Sequence, residues 1–333
     1  MQARRLRFGI VGTSHIADTV IPAMRAAGNC ELRAAASREA GRARDWARER
    51  GIPLSFGSYE EMLASDEIDA VYIPLPNGLH REWSVRAAEM GKHVLCEKPI
   101  AANTAETVEI AEAAEKHGVK LMEAFMYRFH PQTGRVRQLL ADGAIGEIKI
   151  IRASFGFYLA RDEDIRLSKE LAGGALMDVG CYCVSVARLM AGVEPVAATA
   201  SAVWASTGVD DTLAGTLEFP GGVLGVIDCS FRTGPGAEQR LDIGGTLGRI
   251  QVPEPFRLGE EPTSITVVTG VTGGGTETVQ VPGANEYRLM LEHFAGAALE
   301  DRPVDYTPQD SLGNMRAIEA LYESARSGRR VEI

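Results

Sequence analysis

The stretch Leu6-Arg-Phe-Gly-Ile-Val11-Gly12-Thr-Ser14-His-Ile-Ala17 decides the fold. A short apolar strand runs into a glycine turn, and a helix is expected over 16–27. The spacing is that of G-x-G-x-x-G/A with serine at the second glycine. Such a turn bends tightly, lets a pyrophosphate approach the backbone and aims amide N–H groups from a helix N-terminus. Ser14 gives up some backbone freedom and offers a hydroxyl to a phosphate oxygen. Gly12, Thr13, Ser14, His15 and Ile16 are therefore expected to hold a dinucleotide. Alone the motif is a weak signal, and its place at the head of an alternating array strengthens it.

Outward from this turn, strands and helices alternate. Strands are expected at 31–36, 70–73, 93–96 and 119–123, and helices at 40–50, 81–90 and 105–116. Ser58 reads as a helix N-cap with Glu61 three residues on. This alternation predicts a doubly wound parallel sheet, a Rossmann domain over 1–124. After a helix at 132–141 the pattern changes. Strands at 147–157, 196–203, 211–219, 222–231, 239–244, 249–252, 264–269 and 277–281 follow one another through Gly/Pro turns. That succession predicts a second α/β domain over 125–333 with an open, mostly antiparallel sheet. Helices at 286–299 and 309–326 close the chain.

Two domains agree with 333 residues. Lys and Arg total 35 against 45 Asp and Glu, a net charge of −10. An acidic chain with no basic stripe is expected to bind neither nucleic acid nor a membrane surface. The longest apolar runs fall short of the ~20 residues a spanning helix needs. The basic start, Met1-Gln-Ala-Arg-Arg-Leu-Arg, precedes too short an apolar run for a signal peptide. Cysteines 30, 96, 181, 183 and 229 form no C-x-x-C pair. They are expected to stay reduced in a cytoplasmic protein. His80, His93 and His130 have no metal-ligand spacing, and no metal is expected.

The end of the second strand selects the cofactor. An NAD enzyme usually places Asp or Glu there, on the ribose 2′-hydroxyl. Here Ser37-Arg38 stands in that place. A hydroxyl and a cation suit a 2′-phosphate. One charge-assisted contact of about 1.5–3 kcal/mol gives roughly 10- to 150-fold preference for NADP, with NAD use still open. The plain alternative is that Arg38 begins a solvated helix.

Further along stand Leu75-Pro76-Asn77-Gly-Leu-His80 and Gly91-Lys-His-Val-Leu-Cys-Glu97-Lys98-Pro99. Beyond them come Glu123-Ala-Phe-Met-Tyr127-Arg128-Phe-His-Pro131, Ile165-Arg166-Leu167, Gly173-Gly174-Ala-Leu-Met-Asp178-Val-Gly180-Cys-Tyr182 and Gly208-Val-Asp210-Asp211-Thr212. Together, in this order, they resemble the Gfo/Idh/MocA oxidoreductases over essentially the whole chain. The resemblance implies a catalytic or cofactor-contacting Lys98. It implies Asp178 and Tyr182 as the rest of the reaction site, and Leu75, Pro76, Asn77, His80, Glu97 and Arg128 near the nicotinamide. Tyrosine rather than histidine at 182 resembles the branch of glucose–fructose oxidoreductase, NADP-dependent xylose dehydrogenases and dimeric dihydrodiol dehydrogenases. It further implies a homo-oligomer, dimer or tetramer, formed through the C-terminal sheet. The long N-terminal arm of glucose–fructose oxidoreductase has no counterpart before Leu6, so an exchangeable cofactor is expected.

The chemistry agrees. Oxidising an alcohol removes a hydroxyl proton while hydride leaves for the nicotinamide. A free tyrosine, with pKa about 10, is a poor base near neutrality. An ammonium about 4 Å away contributes about 4 kcal/mol at an effective dielectric near 20, enough to bring it near 7. Tyr182 is thus expected to exchange the proton, Lys98 to assist it or to act as the base itself, and Asp178 to orient. If both lie on a helix, Asp178 and Tyr182 share a face. Asp178 could instead cap a helix beginning near Val179, Tyr182 could be a core aromatic, and Lys98 a surface lysine. Arg166 is either a substrate contact or a solvated loop residue. The expected function is NADP-dependent oxidation of a sugar such as D-xylose or D-glucose at C1. The alternatives are a trans-dihydrodiol dehydrogenase, another sugar or keto-sugar reductase, and a non-catalytic NADP-binding sensor.

Overall fold

The computed structural model describes residues 4–161, 163–234, 236–270 and 274–333. Met1–Ala3, the opening of the basic start, lie outside it. The chain forms two compact units. One holds the described residues up to Phe125 together with Tyr287–Leu312, and the other holds Met126–Glu286 and Gly313–Ile333.

In the first unit β1 (Leu6–Val11), α1 (Ala17–Ala26), β2 (Cys30–Ala36), α2 (Ala40–Glu49), β3 (Leu54–Phe56), α3 (Tyr59–Leu63), β4 (Ala70–Ile73), α4 (His80–Glu89), β5 (His93–Cys96), α5 (Thr104–Lys116) and β6 (Leu121–Glu123) follow in turn. The six strands lie in the order β3-β2-β1-β4-β5-β6. All are parallel, the doubly wound sheet read from the sequence. β4 is buried at every position because helices cover both faces, which is why it reads as an unbroken apolar run. Ser58 caps α3 as expected, its hydroxyl accepting from Glu61 N–H at 3.1 Å. In register, Val11 pairs with Ala36 and Ile73 with Cys96. The loops after β1, β2, β4 and β5 therefore leave from one edge of the sheet, beside the point where strand order reverses between β1 and β4. Ligands of such sheets bind there.

The second unit contains α6 (Pro131–Ala141), β7 (Ile148–Gly156), α7 (Cys181–Ala191), β8 (Ala197–Trp204), β9 (Asp210–Phe219), β10 (Val223–Ser230), β11 (Glu238–Gly245), β12 (Gly248–Val252), β13 (Thr263–Thr269) and β14 (Thr276–Val281). After α8 (Glu286–Leu299), α9 (Pro308–Ser327) and β15 (Val331–Glu332) complete it. Nine strands form one sheet, ordered β14-β13-β12-β11-β7-β10-β9-β8-β15. Only β7 and β10 pair in parallel, so the sheet is mostly antiparallel as read. One face is covered by α7. A Cβ on Gly225 would lie 3.7 Å from that of Ala187, and Leu213, Leu217 and Ile227 are buried on the same face. On the other face Thr216, Val226 and the 43% exposed Leu224 look outward.

A boundary near Ala124 describes the first crossing of the chain between units. The return of Tyr287–Leu312 to the first unit adds two more. In that segment Phe294 packs on Phe8 at 6.1 Å between ring centroids, and Asn29 Nδ2 donates to Glu292 O at 2.8 Å.

Candidate active site

In the first unit the expected residues sit at the carboxyl ends of the strands. Gly12 follows β1 with φ +98°, and a Cβ there would lie 2.7 Å from Leu75 Cδ2. Glycine is needed for the turn and for the close approach. The Ser14 Oγ is buried with no hydrogen-bond partner. No side chain caps the start of α1. A buried unpaired hydroxyl costs free energy that a phosphate oxygen would recover, so these residues fit a dinucleotide.

After β2, Ser37 N–H donates to Phe56 O at 3.2 Å, while the Arg38 side chain is exposed. Tyr59 adds to this corner, its hydroxyl lying 3.6 Å from where a Gly12 Cβ would be. Burial pushes that phenol up, and Arg38 and Arg42 both pull the other way. Arg42 was not among the expected residues. It stands in the first turn of α2, which carries no acidic residue there. A cation at a helix N-terminus is unfavourable by roughly 0.3–1 kcal/mol unless an anion meets it. The Arg38-x-x-x-Arg42 spacing was the available signal.

The loops after β4 and β5 are tied together. His80 is fully buried, with Nδ1 2.8 Å from Pro99 O and Nε2 2.7 Å from Leu75 O. Burial lowers its pKa to about 4, although both carbonyls favour the cation. The His80 ring meets two backbone oxygens and so ties the loop after β4 to the loop after β5. Glu97 is also buried. Its Oε1 accepts from Tyr72 Oη at 2.6 Å, and its Oε2 from Lys98 N–H at 3.3 Å. Lys98 and the Leu75-Pro76-Asn77 segment remain partly exposed. Among these, Tyr72 was missed, because a tyrosine inside an apolar strand gives no sign of its partner.

In the second unit Asp178 sits in a π turn, Leu176–Gly180, that runs directly into α7. Helical structure begins at Ala175, so Asp178 does not cap a helix starting near Val179. Arg166 Nε donates to Asp178 Oδ2 at 2.9 Å, and Arg166 Nη1 to Asp164 Oδ1 at 3.1 Å. Burial pulls the guanidinium down, and the two carboxylates more than offset it. Arg166 is therefore paired with Asp178 and Asp164 while its side chain stays 42% exposed. Tyr182 is 6% exposed. Its ring is held by Phe155 and Phe256, at 5.5 and 5.4 Å, and its hydroxyl lies 3.4 Å from Met126 Sδ. Arg128 is buried, and its guanidinium donates to Ser185 Oγ on α7 at 2.7 Å. Tyr127 Oη lies 2.6 Å from the same oxygen.

Each unit thus gathers its own part of the expected constellation. No group of His, Cys, Asp and Glu suited to a metal ion occurs among the described residues. All five cysteines are buried free thiols. No helix among the described residues is long and apolar enough to cross a membrane.

Comparison with known proteins identifies the family. Residues 6–125 match the oxidoreductase family with an NAD-binding Rossmann fold, and residues 133–251 match the GFO/IDH/MocA C-terminal domain. D-xylose 1-dehydrogenase (NADP(+)) 2 of Haloferax volcanii is 41% identical, covering 98% of this chain and 100% of its own. Trans-1,2-dihydrobenzene-1,2-diol dehydrogenase of Xenopus laevis is 37% identical over 78% of each chain. Among solved structures, aldose-aldose oxidoreductase from Caulobacter crescentus superposes with a TM-score of 0.91 at 28% identity, covering 99% of this chain and 100% of its own.

Proposed function

The chain belongs to the Gfo/Idh/MocA family of oxidoreductases, and from that premise we propose that it is an NADP-dependent dehydrogenase oxidising a sugar such as D-xylose or D-glucose at C1. The observation that carries the sugar is the whole-length similarity to a D-xylose 1-dehydrogenase. Arg38 directly after β2 and Arg42 in the first turn of α2, whose charges both favour ionisation of Tyr59, support the 2′-phosphate. Gly12, Thr13, Ser14, His15 and Ile16 would hold the pyrophosphate, and Leu75, Pro76, Asn77, Glu97 and Lys98 the nicotinamide end. When bound, NADP supplies the hydride acceptor at its nicotinamide ring.

The protein's own groups handle the proton. Tyr182 takes the hydroxyl proton at its Oη. Lys98 is the cation whose charge favours the phenolate. Asp178, with one oxygen on Arg166, orients the substrate, and Arg166 contributes to its binding. Tyr182 lies in an aromatic nest and is 6% exposed, and such low exposure strengthens any charge interaction at the hydroxyl.

The test is turnover at 340 nm with NADP and NAD against a panel of aldoses. NADP-linked oxidation of a pentose or hexose to its lactone is expected. Oxidation of trans-dihydrodiols but of no aldose would select the second reading, which the Xenopus laevis relative favours. Tight NADP binding without any turnover would select a sensor.

The open sheet face supports a homo-oligomer, dimer or tetramer. Leu224 stands beside Ile150 on one side and Glu218 on the other, and Val226 beside Thr216. These residues form an outward stripe that a second copy can cover. Sedimentation of Val226→Asp as a monomer would support it. Five buried thiols fit a cytoplasmic enzyme.

A further inference from the structure

We infer that Asp210 is a positioning residue for the reaction, fixing the start of the helical stretch that carries Asp178 and Tyr182. The inference rests on the proposed role of those two side chains. Asp210 opens β9 and has no exposed surface. Its Oδ2 accepts from Leu176 N–H at 2.7 Å, and its Oδ1 from Tyr322 Oη, on α9, at 2.6 Å. Leu176 is the first residue of the π turn, where backbone donors lack partners within the helix. The cap is thus supplied from 34 residues away, by a carboxylate rather than by the local Ser or Asn that would serve as well.

The surroundings are built around that carboxylate. Gly174 has φ +123°, and a Cβ there would lie 2.2 Å from Asp210 Oδ1 and 2.7 Å from Tyr322 Oη. Gly174 N–H donates to Arg166 O at 2.8 Å, and a Cβ on Gly173 would lie 2.3 Å from that same oxygen. Arg166 in turn holds Asp178 through its side chain. One buried group therefore fixes the helix start and packs closely against Gly174, whose N–H holds the backbone of the arginine paired with Asp178. Two routes, main chain from Leu176 and side chain from Arg166, converge on Asp178. Burial pushes the Asp210 carboxyl up, while Tyr322 and Leu176 N–H hold it down. Burying a carboxylate is expensive, and a merely structural helix start does not require it.

π turns shift the residues after them relative to a regular helix, so the aim of Asp178 depends on where the turn begins. Loss of the cap is expected to let the turn relax by a fraction of an ångström. Misplacement of that order at a reacting group lowers rate by roughly 10- to 100-fold while leaving cofactor binding alone.

The experiment compares Asp210→Ala, Asp210→Asn and Tyr322→Phe with the full-length parent, using the preferred aldose and NADP. Asp210→Ala is expected to lower kcat by about 10- to 100-fold with the NADP Kd changed less than about 2-fold. Asp210→Asn keeps an acceptor for Leu176 N–H and is expected to recover most of that loss. Wild-type kcat in folded Asp210→Ala would overturn the inference, as would a fall explained entirely by the unfolded fraction. If Asp210→Ala does not fold, Tyr322→Phe decides: a kcat lowered by about 3- to 10-fold at constant NADP Kd supports positioning, and an unchanged kcat overturns it. Tyr182→Phe separates the two levels. Full activity there would sink the site reading itself, whereas an inactive Tyr182→Phe with an unaffected Asp210→Ala would sink the positioning role alone.

Discussion

The two sheets place their functional residues in different ways. In the parallel sheet each candidate follows directly from the end of a strand. Gly12 comes after β1, Ser37 and Arg38 after β2, Leu75 after β4, and Glu97 and Lys98 after β5. The positions are set by local sequence, because a parallel register brings all those ends to one edge. In the open sheet the candidates sit on a helix whose start is irregular. That start is held by Asp210, 34 residues from Leu176, and by Tyr322, 112 residues from Asp210. The lesson is that a site on strand ends is specified by its neighbours in sequence, and a site on a capped helix by partners far along the chain.

The contrast can be broken most directly at Lys98. If the strand-end group serves the chemistry, Lys98→Met should lower kcat by about 10²- to 10⁴-fold, the range of a lost proton-transfer group. A steady-state comparison in saturating NADP and sugar checks this, and a kcat within a few-fold of the parent would remove lysine from the mechanism. The next effect concerns the glycines. A Cβ on Gly12 would press on a leucine side chain, which can move, whereas one on Gly174 would press on a buried carboxylate with two hydrogen bonds. Gly174→Ala is therefore expected to cost about 3 kcal/mol or more, and Gly12→Ala less, in denaturant titrations. Equal costs would mean that the Asp210 latch is looser than its geometry.

How far the sequence could be read follows the same division. The strand–helix alternation, the Ser58 cap and the turn at Gly12 are local patterns, and the folded chain keeps them. The start of the helix bearing Asp178 was not legible. A helix entered through Gly173 and Gly174 has no Ser, Thr or Asn at its head, so the eye moves to Asp178 itself. The true cap, Asp210, lay in the quoted Gly208-Val-Asp210-Asp211-Thr212 segment with nothing to say what it held. The helix at 286–299 was legible as a helix, but its packing on Phe8 depends on a contact between distant parts of the chain.

A third test concerns the imidazole between the two loops of the first unit. Unfolded histidine titrates near 6.5, and burial lowers His80 to about 4 in the fold. Above pH 6.5 both states are neutral and stability is full. Between 6.5 and about 4 the unfolded chain takes a proton that the fold refuses, so stability falls as pH falls. Below about 4 both are protonated and the loss is complete, at about 3 kcal/mol. The buried His130 and the half-buried His93 and His293 shift the same way. The informative quantity is thus the difference in Tm between the parent and His80→Gln, followed from pH 7 to pH 4. The variant's curve should be flatter, parallel curves would show that the fold leaves the His80 pKa unshifted, and a parent that gains on the variant as pH falls would show that the two carbonyls keep the ring charged.

The smallest effect is the one on cofactor choice, and it bears on how local the strand-end rule is. Arg38 follows β2 directly, while Arg42 stands in the first turn of α2. Both act on the Tyr59 hydroxyl. If the rule is strictly local, Arg38→Ala alone should remove the preference for NADP. If the two arginines share the phosphate, each single variant should lower the ratio of kcat/KM for NADP over NAD by about 10- to 150-fold, the value of one charge-assisted bond. The double variant should then lose less than the product, because both contact one dianion and their effects are coupled. Arg42→Ala should also relieve the unfavourable charge at the start of α2 and raise the stability of the cofactor-free protein slightly, by up to about 1 kcal/mol. A residue that weakens NADP binding and yet stabilises the empty protein when removed is one kept for its ligand. A residue that does neither is a solvated arginine, and the cofactor corner would then be written by Ser37 and Arg38 alone.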